Sequence, residues 1–348
     1  MDRSDVSARL SEVSDPDLDD DIVSLGLVNA IEIDEETQTI RISLALGAPF
    51  APHENEIAAG VRSALSDTGY EIDLTAKLPD VVGADEAVLP GVKNIIAVAS
   101  GKGGVGKSTV AVNLAAGLSA LGARVALFDA DIYGPNVPRM VAADDRPEAT
   151  TDETIIPPER YGMKLMSMDF LVGPDDPVIW RGPMVHKLLT QLVEDVEWGE
   201  IDYMVLDLPP GTGDTQLTVL QTLPLTGAVI VTTPQQVALD DANKGLRMFG
   251  KHQTNVLGIV ENMSGFLCPD CGGRHDVFGS GGGRALADEE GLPFLGAIPL
   301  DPDVRTGGDG GDPIVLREDS ETGNAFRVMV ENVANNVGIV RRREATRE

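Results

Sequence analysis

The stretch Val98-Ala-Ser-Gly-Lys-Gly-Gly-Val-Gly-Lys-Ser-Thr109 decides the fold. From Gly101 to Ser108 it spells G-x-x-x-x-G-K-S, the P-loop pattern of a phosphate cradle. The flanks fit. Asn94-Ile-Ile-Ala-Val-Ala99 is a short apolar run that reads as a buried strand, and Ser108 to Leu121, rich in Ala and Leu, reads as a helix. Glycines let the backbone bend tightly, so the N–H groups of Gly101, Lys102, Gly103, Gly104, Val105 and Gly106 and the helix start at Lys107, Ser108 and Thr109 face bound phosphates. Lys107 is placed to reach the β- and γ-phosphates, and the Ser108 hydroxyl to ligate Mg²⁺. A second lysine, Lys102, follows the first glycine and adds positive charge where charge builds up during phosphoryl transfer.

From Val92 onward apolar strands alternate with helical segments, which predicts an α/β domain: a mostly parallel sheet covered on both faces. Arg124-Val-Ala-Leu-Phe128 is its second strand and carries Asp129-Ala-Asp-Ile-Tyr-Gly-Pro-Asn136 to the sheet edge where ligands of open α/β folds gather. A carboxylate there can orient an attacking water or hold Mg²⁺ through its shell. Tyr203 to Asp207 is a further apolar strand ending in a carboxylate, the Walker B arrangement, in which Asp207 engages Mg²⁺ through water or Ser108. Leu-Pro-Pro-Gly-Thr-Gly-Asp214 follows, with Gly211 and Gly213 suiting a loop that tracks the γ-phosphate. Strands at Gly227–Thr233, Val256–Val260 and Phe294–Ile298 continue the pattern, with a helix at Gln236–Gly250. Arg181, just before a helix that Pro183 opens, reads as a surface arginine, with a contact to partner or nucleotide as the alternative.

Residues 1 to 80 read as a separate small α+β domain. Val28-Asn-Ala-Ile-Glu-Ile33 and Thr39 to Leu46 alternate like a hairpin, Pro52 to Leu65 is a helix, and Glu71 to Leu78 a last strand. A turn-rich linker, residues 81–91, separates this domain from an ATPase-type domain at 92–340, and 341–348 form a polar tail. Met140 to Pro158 is an acidic insertion of little periodicity.

The chain has 348 residues, 56 acidic against 27 basic, and a formal net charge of −29. So acidic a chain argues against nucleic acid as a partner, since phosphate contacts need clustered Lys and Arg. With 42% hydrophobic residues in regular runs it is a folded chain, not a disordered acidic one. No run reaches the roughly 18–20 apolar residues that span a bilayer and no signal peptide is evident, so a cytoplasmic protein with no membrane partner is expected.

The only two cysteines, Cys268 and Cys271, lie in Phe266-Leu-Cys-Pro-Asp-Cys-Gly-Gly-Arg-His275, before the glycines that end at Gly283. C-x-x-C lets two thiolates chelate one metal centre, but zinc and a [4Fe–4S] cluster each want about four ligands. Either His275 and a carboxylate such as Asp276 complete the site, or two chains each give a pair across a two-fold axis. A redox dithiol is the competing reading, although that motif usually opens a helix of a thioredoxin-like unit.

K-G-G-V-G-K-S-T at Lys102–Thr109 resembles the deviant P-loop of ATPases that include division-site, nitrogenase-iron-protein and Mrp relatives. Asp129–Asn136 resembles that family's switch I, and Asp207–Asp214 the Mrp switch II. Cys268–Gly283 resembles the Mrp/ApbC-type iron–sulfur carrier ATPases, and the whole resemblance spans about Val92 to Val333. Asp15 to Val28 resembles the small iron–sulfur-assembly domain that often precedes them. That family often carries a cysteine after its second strand, where this chain has Gly47-Ala-Pro-Phe50. The resemblance implies a homodimer with ATP and Mg²⁺ between its chains, and Lys102 reaching the partner's nucleotide. It implies that Asp131 orients the hydrolytic water, that Asn262, Pro299 and Asp301 surround the adenine, and that a [4Fe–4S] cluster on paired Cys268 and Cys271 passes to apo-proteins. A zinc-clamped partitioning-type scaffold and a dithiol-regulated ATPase are the rival readings.

Overall fold

In the computed structural model the Asn94–Ala99 run is the buried middle of a strand, and the expected helix starts at Lys107. The structure describes residues 1–77, 88–131, 134–151, 154–170, 182–268 and 271–346. Arg181 and most of the expected linker lie outside them. Two compact units emerge: Met1–Glu86 with Ala334–Glu348, and Ala87–Val333.

The first unit contains α1 (Arg3–Leu10), β1 (Val28–Asp34), β2 (Thr39–Leu44), α2 (Pro52–Ala64) and β3 (Glu71–Ala76). β1 and β2 form the expected antiparallel hairpin, and β3 joins β2 in parallel. Its turn is fixed by Asp34, whose Oδ1 accepts from the N–H groups of Glu36 and Thr37 at 3.0 and 3.1 Å. Alternation along β2 buries Ile40, Ile42 and Leu44, each worth about 1.5–3 kcal/mol, against Val6, Leu10, Ile57 and Val61.

The second unit begins with β4 (Val92–Ser100), α3 (Lys107–Ala120), β5 (Val125–Asp129) and α4 (Val137–Met140). Short strands follow, β6 (Glu148–Ala149), β7 (Ile155–Ile156) and β8 (Glu159–Arg160), then β9 (Met163–Ser167). β6 and β7 pair with each other, so the acidic insertion carries a small hairpin of its own. Next come α5 (Gly182–Glu194), β10 (Ile201–Asp207), α6 (Asp214–Thr222), β11 (Gly227–Thr232), α7 (Gln236–Lys251) and β12 (Val256–Glu261). The chain ends with β13 (Phe266–Leu267), β14 (Arg274–His275), α8 (Gly282–Glu290), β15 (Phe294–Ala297), α9 (Pro302–Gly310) and α10 (Glu321–Ala345).

Eight of these strands form one sheet in the order β15-β12-β11-β4-β10-β5-β9-β8, parallel except for the edge strand β8. Every residue of β5, β10 and β11 is buried, as a sheet covered on both faces requires. β5 and β9 lie on one side of β4 and β11, β12 and β15 on the other, so the loop after β4 opens at the switch point. Helix α3 is buried nearly all round; Gly117 lets α10 approach, since a Cβ there would sit 2.6 Å from Val330 Cγ2.

At the opposite end of the sheet Asp202 ties three segments together. It accepts from the Arg124 N–H, Nε and Nη2 at 3.0, 3.1 and 2.9 Å and from Lys93 Nζ at 2.9 Å. Burial pushes this carboxyl up, but the Arg124 bonds and the Lys93 ammonium outweigh it and hold it well below the usual carboxylate range. A depressed folded value adds stability above the unfolded one, lost as pH falls through the folded one. Asp202→Asn should therefore cost roughly 2 kcal/mol at pH 7 in urea unfolding. The gap to the parent chain should close only below about pH 4.

The expected polar tail is not one. Residues 341–345 continue α10, and Arg342 is 0% exposed inside the first unit. Its guanidinium faces Asp15 Oδ2 at 2.7 Å, Asp17 Oδ2 at 2.6 Å and Glu54 Oε1 at 3.4 Å. The Asp15 contact is an ion pair without hydrogen-bond alignment. Three carboxylates in a small domain require a buried cation, and Arg342 of α10 supplies it.

Candidate functional site

The loop after β4 is shaped by two glycines. Gly106 sits at φ +82°, and a Cβ there would lie 2.1 Å from Asn262 Nδ2. A Cβ on Gly101 would lie 2.1 Å from the Asp241 backbone in α7. Glycine at both points lets the loop thread between the end of β12 and α7.

Beside the loop the sheet edge gathers acids in register. Asp207 ends β10 and pairs across the ladder with Asp129, which ends β5, and Asp129 pairs in turn with Ser167. Lys107 Nζ lies 2.5 Å from Asp207 Oδ1, 3.8 Å from Asp131 Oδ2 and 3.4 Å from Ser108 Oγ. Burial raises Asp207, and Lys107 and Ser108 only partly offset it; its Oδ2 is buried with no hydrogen-bond partner among the described residues. Burial, then the Asp207 charge, pushes Asp129 up to about 7.

Asp129 does a different task from Asp131, which the sequence reading did not separate. Its carboxylate accepts from the N–H groups of Asp131, Asn136 and Val137 at 3.1, 3.0 and 3.2 Å and from Ser167 Oγ at 3.1 Å. It therefore holds the backbone that aims Asp131. The D-A-D spacing was the available signal, but only the ladder register shows which acid faces inward.

Two cavities flank Ser108 and Thr109. One, of about 410 Å³, is lined by Lys102, Lys107, Asp131 and Pro210; the other, of about 370 Å³, by Asn262, Met263, Pro299 and Asp301. Gly106 and Asn136 border both. The first has the cations for phosphates, and the second has polar strand ends and apolar walls of the size that nucleosides fill. Asn262 Nδ2 donates to Val105 O at 2.8 Å and its Oδ1 accepts from the Met263 N–H at 2.9 Å, so it braces the loop. Asp301 caps α9, accepting from Asp303 N–H, and its Oδ2 accepts from Thr322 at 2.6 Å. The hard oxygen donors Ser108 Oγ and the orphaned Asp207 Oδ2, next to Lys107, fit Mg²⁺.

The cysteines stand on a small hairpin in the same unit. β13 and β14 pair Phe266 with His275, and the turn closes through Cys268 N–H to Gly273 O and Gly272 N–H to Cys268 O, both 2.9 Å. Half-buried Cys268 and exposed Cys271 are thiols. Their Sγ atoms and a His275 ring nitrogen all lie within 4.8 Å of one another. Of the two residues expected to complete a site within one chain, His275 joins the pair; among the described residues Asp276 does not.

The hairpin is bonded to the wall of the second cavity. Phe266 bridges Leu300, and the Leu300 N–H donates to Gly265 O at 2.7 Å. Glu261, fully buried, holds both feet of the loop: its carboxylate accepts from Ser264 Oγ at 2.5 Å and from the N–H groups of Gly281 and Gly283 at 2.8 and 2.5 Å.

Residues 91–334, which hold the loop, both acids and the hairpin, match the profile of the NUBPL iron-transfer P-loop NTPases. The chain belongs to that family. Residues 3–71 match an iron–sulfur cluster assembly protein family. An iron–sulfur cluster carrier protein of Deinococcus radiodurans is 44% identical over 333 residues, covering 95% of this chain and 94% of that protein. A nucleotide-binding protein from Archaeoglobus fulgidus, solved with ADP, is 36% identical at a TM-score of 0.60, over 70% of this chain and 95% of that one. The cell-division ATPase MinD of Pyrococcus furiosus, 23% identical with a TM-score of 0.53 over 70% of this chain and 98% of its own, shares the fold. In this chain the loop lies at the carboxyl edge of the mostly parallel sheet. Among its described residues no helix is long and apolar enough to cross a membrane.

Proposed function

We propose that two copies of the chain bind ATP with Mg²⁺, hydrolyse it, and carry a [4Fe–4S] cluster on paired Cys268 and Cys271 for transfer to cytoplasmic apo-proteins. The observation that carries this reading is the junction at the end of β12. There Asn262 braces the phosphate loop while its neighbour Glu261 holds both feet of the cysteine loop. Movement at the nucleotide is thereby transmitted to the thiols through two adjacent residues. The cobalt reported with the Archaeoglobus relative supports a metal-handling reading.

In this mechanism Lys107 leaves Asp207 for the β- and γ-phosphates, and Asp131 accepts a hydrogen bond from the water that attacks the γ-phosphorus. Lys102 stabilises the charge on the partner's γ-phosphoryl group. Ser108 and Asp207 would hold a magnesium ion, which would supply neutralisation of phosphate charge. Nucleotide binding tightens the dimer and hydrolysis relaxes it, which requires ATP to bind one arrangement better than the other.

Anaerobic reconstitution with iron and sulfide tests the reading. About four irons and four sulfides per two chains, with visible absorption, are expected. Cys268→Ala with Cys271→Ala should remove both, with retained nucleotide affinity as the check on folding. Stoichiometric iron and sulfide in that variant would refute the assignment, and a colourless zinc-only product would favour the partitioning-type scaffold.

A further inference from the structure

We propose that a single chain holds one thiophilic divalent cation, with Cys268 Sγ, Cys271 Sγ and the His275 imidazole as its three protein ligands. This goes beyond cluster carriage and does not rest on it.

The backbone assembles the three donors. Pairing of Phe266 with His275 brings the imidazole back beside the turn that carries the cysteines. The two 2.9 Å bonds between Cys268 and residues 272 and 273 close that turn. Gly273 shows where the donors point: a Cβ on it would lie 3.2 Å from Cys271 Sγ and 3.6 Å from His275 Nε2. Both atoms therefore border the same small space. All three donor atoms lie within 4.8 Å of each other. Tetrahedral coordination at the usual Zn–S and Zn–N lengths needs donor separations of about 3.4–3.8 Å. Small side-chain rotations on an exposed hairpin close the difference.

The donor set specifies the class of ion. Two thiolates and an imidazole favour zinc, iron(II) or cobalt(II) over magnesium or calcium. Three protein ligands leave a fourth position, and the exposure of Cys271 and His275 turns it to solvent. That is the arrangement of an exchangeable site, whereas a closed structural one has four protein ligands. On binding, the two thiol protons pass to solvent. The cation then occupies the sulfurs that a shared cluster would use, so the two compete.

Anaerobic optical titration of the reduced full-length protein with Co²⁺, without iron or sulfide, tests the proposal. One cobalt per chain is expected, with the visible bands of tetrahedral cobalt and charge-transfer intensity for two thiolates. His275→Ala should weaken binding at least about 100-fold, since even outer partners of metal ligands are worth 10–100-fold. Gly273→Ala, which puts a methyl group into the donor space, should weaken it about 10-fold. His275 is exposed, so its replacement removes no buried side chain. One cobalt per two chains with four-thiolate intensity, or unchanged affinity in His275→Ala, would overturn the proposal. Failure to build a cluster would sink the carrier reading and leave this titration unchanged.

Discussion

Lys107→Met should lower the rate of ATP hydrolysis by roughly 100- to 1,000-fold, the usual effect of removing one preorganised donor from a phosphoryl-transfer site. The argument rests on where the ammonium already is. It is buried, in contact with Asp207, near Asp131 and close to Ser108, so only a small movement separates it from the phosphate cavity. Methionine keeps the length of the side chain and removes its charge. Asp207, already raised by burial, then loses its ion-pair partner and shifts further toward the protonated form. Phosphate release at saturating nucleotide measures the first effect. Hydrolysis near the parent rate would exclude Lys107 from the reacting phosphates.

Arg342→Met should cost the first unit roughly 3–5 kcal/mol, the penalty for removing one partner from a buried charge group. Glu54 shows how finely the cluster is balanced. Burial raises it, and the Ala48 and Gly47 N–H groups with Arg342 draw it back only in part. Without the guanidinium, Glu54 gains a proton more readily in the folded state than in the unfolded one. A raised folded value gives stability at low pH that is lost as pH rises through it. The deficit of Arg342→Met should thus be largest near neutral pH and shrink toward about pH 4. Adding Asp15→Asn and Asp17→Asn should restore part of the loss in urea unfolding at pH 7. No restoration would mean that packing, not charge, accounts for the cost.

The phosphate loop, the carboxylates at the strand ends and the cysteine pair were legible because each is a local pattern whose chemistry needs neighbouring residues. The hairpin of β1 and β2 was legible for the same reason. What the sequence did not disclose depends on distant partners. Nothing near Arg342 marks it as the counter-ion of Asp15, since the residues between them build the entire second unit. The buttressing by Asp129 depends on ladder register, and the convergence of Cys271 and His275 above Gly273 on the closure of one turn. Glu261 carries no local signal of its role, because its anchor points lie on either side of the cysteine loop.

The buried guanidinium also bears on the order of events during synthesis. Glu54 precedes Arg342 by 288 residues. At about 5–20 residues per second the ribosome needs roughly 15–60 s to cover that distance. The acids around Glu54 must therefore wait, still solvated, until Arg342 has been added.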